Sequence, residues 1–301
     1  MSIPRRVKVC EMGPRDGLQN EKTVISAADK IRYIDLLSDS GLQVIEATSF
    51  VRPDAIPQLS DASEVFAGIA KRAGVRYVVL CPNLKGLERA KDAGVDSIAV
   101  FTAASESFTK KNINMTIQQS LDTFGEVIRH GREAGMWVRG YVSTAFGCPY
   151  EGAVPVENVV AVADALFKLG CDEISIGDTI GVAVPSQVDA LVPLLANVVP
   201  IEKLALHLHD TRGTALANVH AGLQQGVSIF DSSAGGLGGC PYAPGASGNL
   251  GTEDLLYMLH GMNIETGVDL TKVRAASRFI AGILDHELTS KAYTALEAAS
   301  H

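Results

Sequence analysis

The sharpest chemical signal in this 301-residue chain is His207-Leu208-His209, at the end of a strand-like run. Residues two apart on a strand share a face, so both imidazoles point one way and Leu208 the other. Two imidazoles on one face suit a shared divalent cation; they also suit two histidines satisfied by hydrogen bonds at the mouth of a fold. Asp16, within Gly13-Pro14-Arg15-Asp16-Gly17, follows the first strand-like run. Its carboxylate is a metal ligand, a base or a helix cap. Gly17 comes next and helical periodicity resumes only near Ser26, which argues against a cap. Arg15 adds a fixed cation at the same place, or a surface ion pair of little weight. The third element is the glycine-rich segment from Ser233 to Asn249, with Cys240 in its middle. Its backbone amides can cradle phosphate, it can close as a lid, or it can stay unordered. A thiol there contributes nothing to a core, which leaves Cys240 a candidate acid or base, or an unreactive exposed cysteine.

These residues need a scaffold that brings strand ends together. Eight short, β-branched runs recur: Val7–Met12, Gln43–Thr48, Val75–Leu80, Ser97–Thr102, Trp137–Ser143, Glu173–Gly177, Lys203–His209 and Ser228–Ser232. Between them lie stretches of helical period, including Ser26–Ser40, Ser60–Ala73, Thr116–Ala134, Val156–Leu169 and Ser186–Val198. Gly41, Gly74, Gly94, Gly135, Gly170 and Gly226 each stand where a helix should stop before a strand. Eight β–α units predict an α/β fold, a (β/α)8 TIM barrel, over about 7–262. One or two extra C-terminal helices are predicted over about 269–298. An open doubly wound sheet is the competitor, but no G-x-G-x-x-G follows the first run. No low-complexity linker interrupts the chain, so 1–301 is read as a single domain. In a barrel, catalytic groups gather at the C-terminal strand ends. Arg15, Asp16, Gln19, Asn20, Glu46, Ser143, Thr144, Ser175, Asp178, Thr179, His207 and His209 all fall there.

Bulk properties narrow the function classes. Hydrophobic residues at 47% and charged residues at 20% are those of a globular protein, and the net charge of −8 argues against nucleic acid as a partner. The five cysteines are odd in number and widely spaced, which favours a reducing compartment, taken as cytoplasmic. No apolar run is long enough for a spanning helix, and none follows Arg5, Arg6 and Lys8 to make a signal peptide, so no membrane partner is expected.

Five motifs together resemble the 3-hydroxy-3-methylglutaryl-CoA lyase family. They are Gly13-Pro14-Arg15-Asp16-Gly17-Leu18-Gln19-Asn20, Ser107-Phe108-Thr109-Lys110-Lys111-Asn112-Ile113-Asn114, Gly147-Cys148-Pro149-Tyr150-Glu151-Gly152, His207-Leu208-His209-Asp210-Thr211-Arg212-Gly213, and Gly238-Gly239-Cys240-Pro241-Tyr242-Ala243 with Gly245-Ala246-Ser247-Gly248-Asn249. The resemblance spans about 7–290. Condensing synthases of the wider superfamily carry Glu where Leu18 stands, and here the chain sides with the lyases.

The resemblance implies a divalent cation, Mg2+ or Mn2+, held by Asp16, His207, His209 and Asn249. It puts Arg15 near the thioester carbonyl and makes Cys240 the catalytic cysteine of a mobile loop. It sets Glu46, Asp178 and Ser175 around the site, with Glu253 in support. It further implies a homodimer and an acyl-CoA substrate cleaved by a retro-Claisen step, with Asp16 or a histidine such as His207 as base. Lys110, Lys111 and Asn112, expected in a loop after the fourth strand, either meet the CoA phosphates or form a solvated basic patch. Two alternatives stand beside this reading: the same chemistry on another 3-hydroxyacyl-CoA, and a non-catalytic barrel that binds CoA or metal.

Overall fold

The computed structural model describes residues 3–238 and 248–299. Its strands are β1 (Lys8–Glu11), β2 (Val44–Ser49), β3 (Arg76–Leu80), β4 (Ser97–Ala103), β5 (Trp137–Ser143), β6 (Glu173–Asp178), β7 (Leu204–Leu208) and β8 (Ile229–Ser232). Each pairs in parallel with its sequence neighbour, and β8 returns to β1, closing the barrel. Parallel neighbours require a crossover, and helices supply it. They are α1 (Ala27–Ser38), α2 (Ala62–Gly68), α3 (Leu84–Asp92), α4 (Glu106–Ile113), α5 (Ile117–Glu133), α6 (Val156–Lys168), α7 (Pro185–Leu195) and α8 (Ala215–Gln224), and α9 (Thr252–Gly261) follows the last strand. Two more, α10 (Leu270–Ala281) and α11 (Lys291–Ala298), form the tail, with α10 laid against α1 and α9.

Local chemistry accounts for the boundaries. The Ser26 hydroxyl accepts from the Asp29 amide to start α1, and Thr116 with Gln119 makes a capping box ahead of α5. All six glycines predicted to stop helices adopt positive φ. At Gly41 the need is double: φ is +94°, and a Cβ would lie 2.2 Å from the Gly267 carbonyl oxygen.

The core has two layers. Outward-facing strand residues such as Ile45, Val79, Ile98, Val138, Ile174 and Leu206 pack under the helices. Inside the barrel lies a smaller apolar group that includes Cys10, Met12, Val44, Val78, Ala99, Ala205 and Ile229. The candidate site lies at the C-terminal ends of the strands, where polar and apolar side chains line a cavity.

Two expectations need adjustment. The helix predicted over Ser60–Ala73 is confined to α2, because the backbone turns extended at Ile69. Lys110, Lys111 and Asn112 sit in α4, not in a loop: the Ser105 hydroxyl accepts from the Phe108 amide and starts a helix there. Among the described residues no helix is long and apolar enough to cross a membrane.

Candidate active site

The segment after β1 folds as a single π-helical turn, Gly13–Gly17. The Gly17 and Leu18 amides reach back five residues to the Met12 and Gly13 carbonyls, at 3.1 and 3.0 Å. Such wide turns are rare and recur at functional sites. Glycine is required at position 17, since a Cβ would meet Leu237 and Ser233 at 2.9 Å. The turn aims Arg15 inward, where it is buried, and leaves Asp16 partly accessible at the barrel mouth. Asp16 therefore caps no helix.

Asp16, His207 and His209 converge. Each offers a ligand atom, and these atoms lie within 4.8 Å of one another. His207 Nε2 is 3.1 Å from His209 Nε2 and 4.0 Å from Asp16 Oδ2. The three residues come from the turn after β1 and the end of β7, the two strands that flank β8 in the barrel. Asn249 arrives from the far end of the glycine-rich segment. It pairs with His209 in an isolated antiparallel bridge, and its Nδ2 donates to Asp16 Oδ2 at 2.9 Å and to the Leu237 carbonyl at 3.0 Å.

The donor set fits a cation. Among the described residues, the Asn249 side-chain oxygen and His209 Nδ1 are buried with no hydrogen-bond partner. An orphaned carbonyl oxygen beside a carboxylate and two imidazoles offers lone pairs with no protons to receive. Electrostatics agree. Burial opposes the charge on Asp16, but Arg15, then His207 and His209, outweigh it and hold the carboxyl down at about 2. Burial, reinforced by His207, holds His209 down at about 3, so its imidazole is neutral and free to ligate.

Beneath the mouth runs a closed ring of polar contacts. Arg15 donates to Asp16 Oδ1 and, through Nε, to Glu46 Oε2, both at 2.6 Å. The Tyr141 hydroxyl donates to Glu46 Oε1 at 3.1 Å and accepts from Arg139 Nη1 at 3.0 Å. Arg139 Nη2 donates to Asp231 Oδ1 at 2.6 Å, and Asp231 Oδ2 lies 3.2 Å from His207 Nδ1. Arg139 Nε also lies 2.9 Å from Glu173 Oε1, an ion pair outside hydrogen-bond alignment. Arg139, Tyr141 and Asp231 were not among the sequence-based candidates. The signal for them is a charged residue and a phenol two apart in an apolar strand, Arg139 and Tyr141, which must face the barrel interior together.

Other predicted residues divide. Ser175 lines the cavity at the mouth and donates to Asp231 Oδ2 at 2.9 Å. Asp178 turns aside: its oxygens accept from the Val182 and Ala183 amides at 2.9 and 3.0 Å. Asn112 lines the cavity; Lys111 instead lays its amine 3.7 Å from the centre of the Tyr150 ring. Lys110 is exposed on α4. Glu253 is buried, accepting from the Gly235 amide at 2.8 Å and from the Ser277 hydroxyl. Cys240 lies outside the described residues. The cavity encloses about 310 Å3, with Arg15, Asp16, Gln19 and both histidines on one side and Val51, Ile56, Leu80, Phe101 and Phe108 supplying apolar wall.

A closed eight-stranded parallel barrel with an Asp–His–His cluster at the C-terminal ends of its strands defines a TIM-barrel enzyme with a candidate metal centre. The chain belongs to the HMGL-like family, whose profile matches residues 6–280. It is 53% identical over 290 residues to the mitochondrial hydroxymethylglutaryl-CoA lyase of Gallus gallus, covering 96% of this chain and 97% of that one. The crystal structure of hydroxymethylglutaryl-CoA lyase from Pseudomonas aeruginosa superposes with a TM-score of 0.97 at 50% identity, over 99% of this chain and 100% of that one. An HMG-CoA lyase from Acinetobacter baumannii, in complex with coenzyme A and 3-methylmalate, superposes with a TM-score of 0.92 at 41% identity, over 97% and 95%.

Proposed function

We propose that this chain is a carbon–carbon lyase that cleaves 3-hydroxy-3-methylglutaryl-CoA to acetyl-CoA and acetoacetate with a divalent cation bound. The observation that carries the reading is the convergence of Asp16, His207 and His209 beside buried Arg15, in a chain of the HMGL-like family. Asp16, His207, His209 and the Asn249 side-chain oxygen would hold the ion, Mg2+ or Mn2+. Bound there, it supplies Lewis acidity to the hydroxyl and carboxylate oxygens of a hydroxy-acid.

The chain's own groups do the rest. Asp16, whose carboxylate keeps lone pairs when it ligates, takes the carbinol proton as the bond between the carbinol carbon and the α-carbon breaks. The electron pair of that bond moves into the thioester carbonyl, and the carbinol carbon becomes the ketone of acetoacetate. Arg15, its fork held by Glu46, faces the oxygen on which enolate charge grows. A proton from Cys240 or water then returns to the α-carbon and gives acetyl-CoA. Asp178 holds the turn after β6, and Glu253 holds the Gly235 amide at the base of the glycine-rich segment. The CoA moiety runs past Asn112, with Lys110 and Lys111 on the same helix as its phosphate partners. We assign the chain to the cytoplasm as a homodimer.

The deciding experiment is acetoacetate release from 3-hydroxy-3-methylglutaryl-CoA, with and without chelator. Release that is abolished by chelation and restored by Mg2+ or Mn2+ supports the reading. Turnover of a longer 3-hydroxyacyl-CoA but not this one redirects it to another substrate. No turnover of any thioester leaves a binding barrel.

A further inference from the structure

The two histidines of the cluster are held differently. Among the described residues His209 Nδ1 is buried without a partner, whereas His207 Nδ1 lies 3.2 Å from Asp231 Oδ2. Asp231 is 1% exposed and stands directly opposite His207 in the β7–β8 register, so the barrel wall itself sets their separation. The carboxylate is surrounded by donors: Arg139 Nη2 on Oδ1 at 2.6 Å and Ser175 Oγ on Oδ2 at 2.9 Å. Arginine stays protonated in proteins, so the partner beside it acts as an acceptor. The imidazole nitrogen that meets Asp231 must then carry the proton.

We propose that Asp231 is a positioning residue that fixes His207 as its Nδ1–H tautomer, leaving the Nε2 lone pair aimed at the metal position between His209 and Asp16. The inference rests on the metal reading above and adds a residue outside the ligand set. Arg139 acts one step further out: it orients the carboxylate that orients the imidazole. Outer partners of this kind hold ring orientation and ligand basicity, and their loss weakens metal binding by about 10–100-fold.

The chemistry predicts a reversal in Asp231→Asn. Arg139 demands an oxygen, so the Asn side chain turns its Oδ1 to the guanidinium and its NH2 to His207. Nδ1 must then accept, the proton moves to Nε2, and the ligand lone pair is lost; an Asp→Asn change behind a histidine acts in this way in serine proteases.

The test uses the full chain and Mn2+ alone. Mn2+ affinity is measured by EPR titration for wild type, Asp231→Asn and Glu173→Gln. The last removes the other carboxylate of Arg139 without touching His207. Two-bond 1H–15N spectra of the histidine-labelled, metal-free protein at alkaline pH report the tautomer directly. The expected result is an Nδ1–H His207 in wild type, an Nε2–H His207 in Asp231→Asn, and about 10–100-fold weaker Mn2+ binding in that variant only. Equal weakening in Glu173→Gln would reduce Asp231 to a counter-ion of Arg139 and overturn the proposal. An Nε2–H His207 in wild type overturns it without any variant, should Asp231→Asn fail to fold. A wild-type chain that binds no Mn2+ overturns the metal reading instead, and the nitrogen spectra still decide on Asp231.

Discussion

Asn249 donates its side-chain amide to Asp16 Oδ2 at 2.9 Å across 233 positions of sequence, and the same side chain keeps its oxygen unpartnered among the described residues. One residue thus fixes the orientation of a carboxylate and presents a lone pair beside it. Asn249→Ala removes both. Mn2+ or Mg2+ affinity should fall by more than the about 10–100-fold typical of outer-sphere partners. Calorimetric titration checks this, and an unchanged affinity would remove Asn249 from the ligand set.

Arg15 bridges Asp16 and fully buried Glu46. Because its proposed work is on charge that grows during bond cleavage, Arg15→Gln should lower kcat by about 10²–10³ with little change in KM. Glu46 loses its ion partner in that variant but keeps the Tyr141 hydroxyl, so the fold should survive a stability loss of up to about 3–5 kcal/mol. Steady-state kinetics beside thermal melting separate the roles: normal turnover with a large drop in Tm would make Arg15 a structural ion pair.

Two buried carboxyls give the chain a pH-dependent stability. Burial pushes Glu11 up from 4.5 to about 7 despite amides from Ala234 and Gly13 and a hydroxyl from Thr252; burial pushes Glu253 up to about 7 as well. A raised carboxyl pKa means the folded chain holds a proton that the unfolded chain releases. Their contribution is therefore fully present below about 4.5 and is lost as pH rises through about 7. Glu11→Gln keeps an oxygen for both amides, and the Thr252 hydroxyl can turn to Ser232 at 2.8 Å. The variant should gain stability relative to wild type as pH rises from 5 to 8, on the order of 3 kcal/mol at most. Urea denaturation at both ends measures it; a flat difference across that range would show that Glu11 stays ionised in the fold.

Gly74 and Gly41 both sit at positive φ, but only Gly41 has a neighbour in the way. Gly74→Ala should cost about 1–2 kcal/mol from backbone strain alone. Gly41→Ala should cost a further amount of about 1–3 kcal/mol, because Gly267 must move. Equal costs by urea denaturation would show that the α10 approach yields freely.

Much of this was open to reading from residue order. All eight strands fall within a residue or two of the runs of β-branched residues, because parallel strands buried on both faces read as continuous apolar stretches. The six stop glycines marked their helices for the same steric reason that they now show positive φ. Helix α4 escaped notice because it is short and polar, with Glu106, Lys110 and Lys111 among its eight residues. His207 and His209 stood out as a pair, and Asp16 as a carboxylate with no helix to cap. Asp231 and Arg139 did not, since each is one polar residue in an apolar strand whose meaning depends on a partner 92 positions away. Asp178 was placed rightly at a strand end, yet that position also suits the backbone caps it makes.

The ring from Arg15 through Glu46, Tyr141, Arg139, Asp231 and His207 back to Asp16 has an evolutionary corollary. Removing one member of a buried ion pair strands the other, at a cost of about 3–5 kcal/mol, whereas exchanging both for packed apolar groups is often neutral. Single substitutions at Arg139 or Asp231 should therefore be purged even in lineages that no longer need the chemistry. Descendants that abandon the site should change these positions together, so a barrel carrying half of the ring is the least accessible state of all.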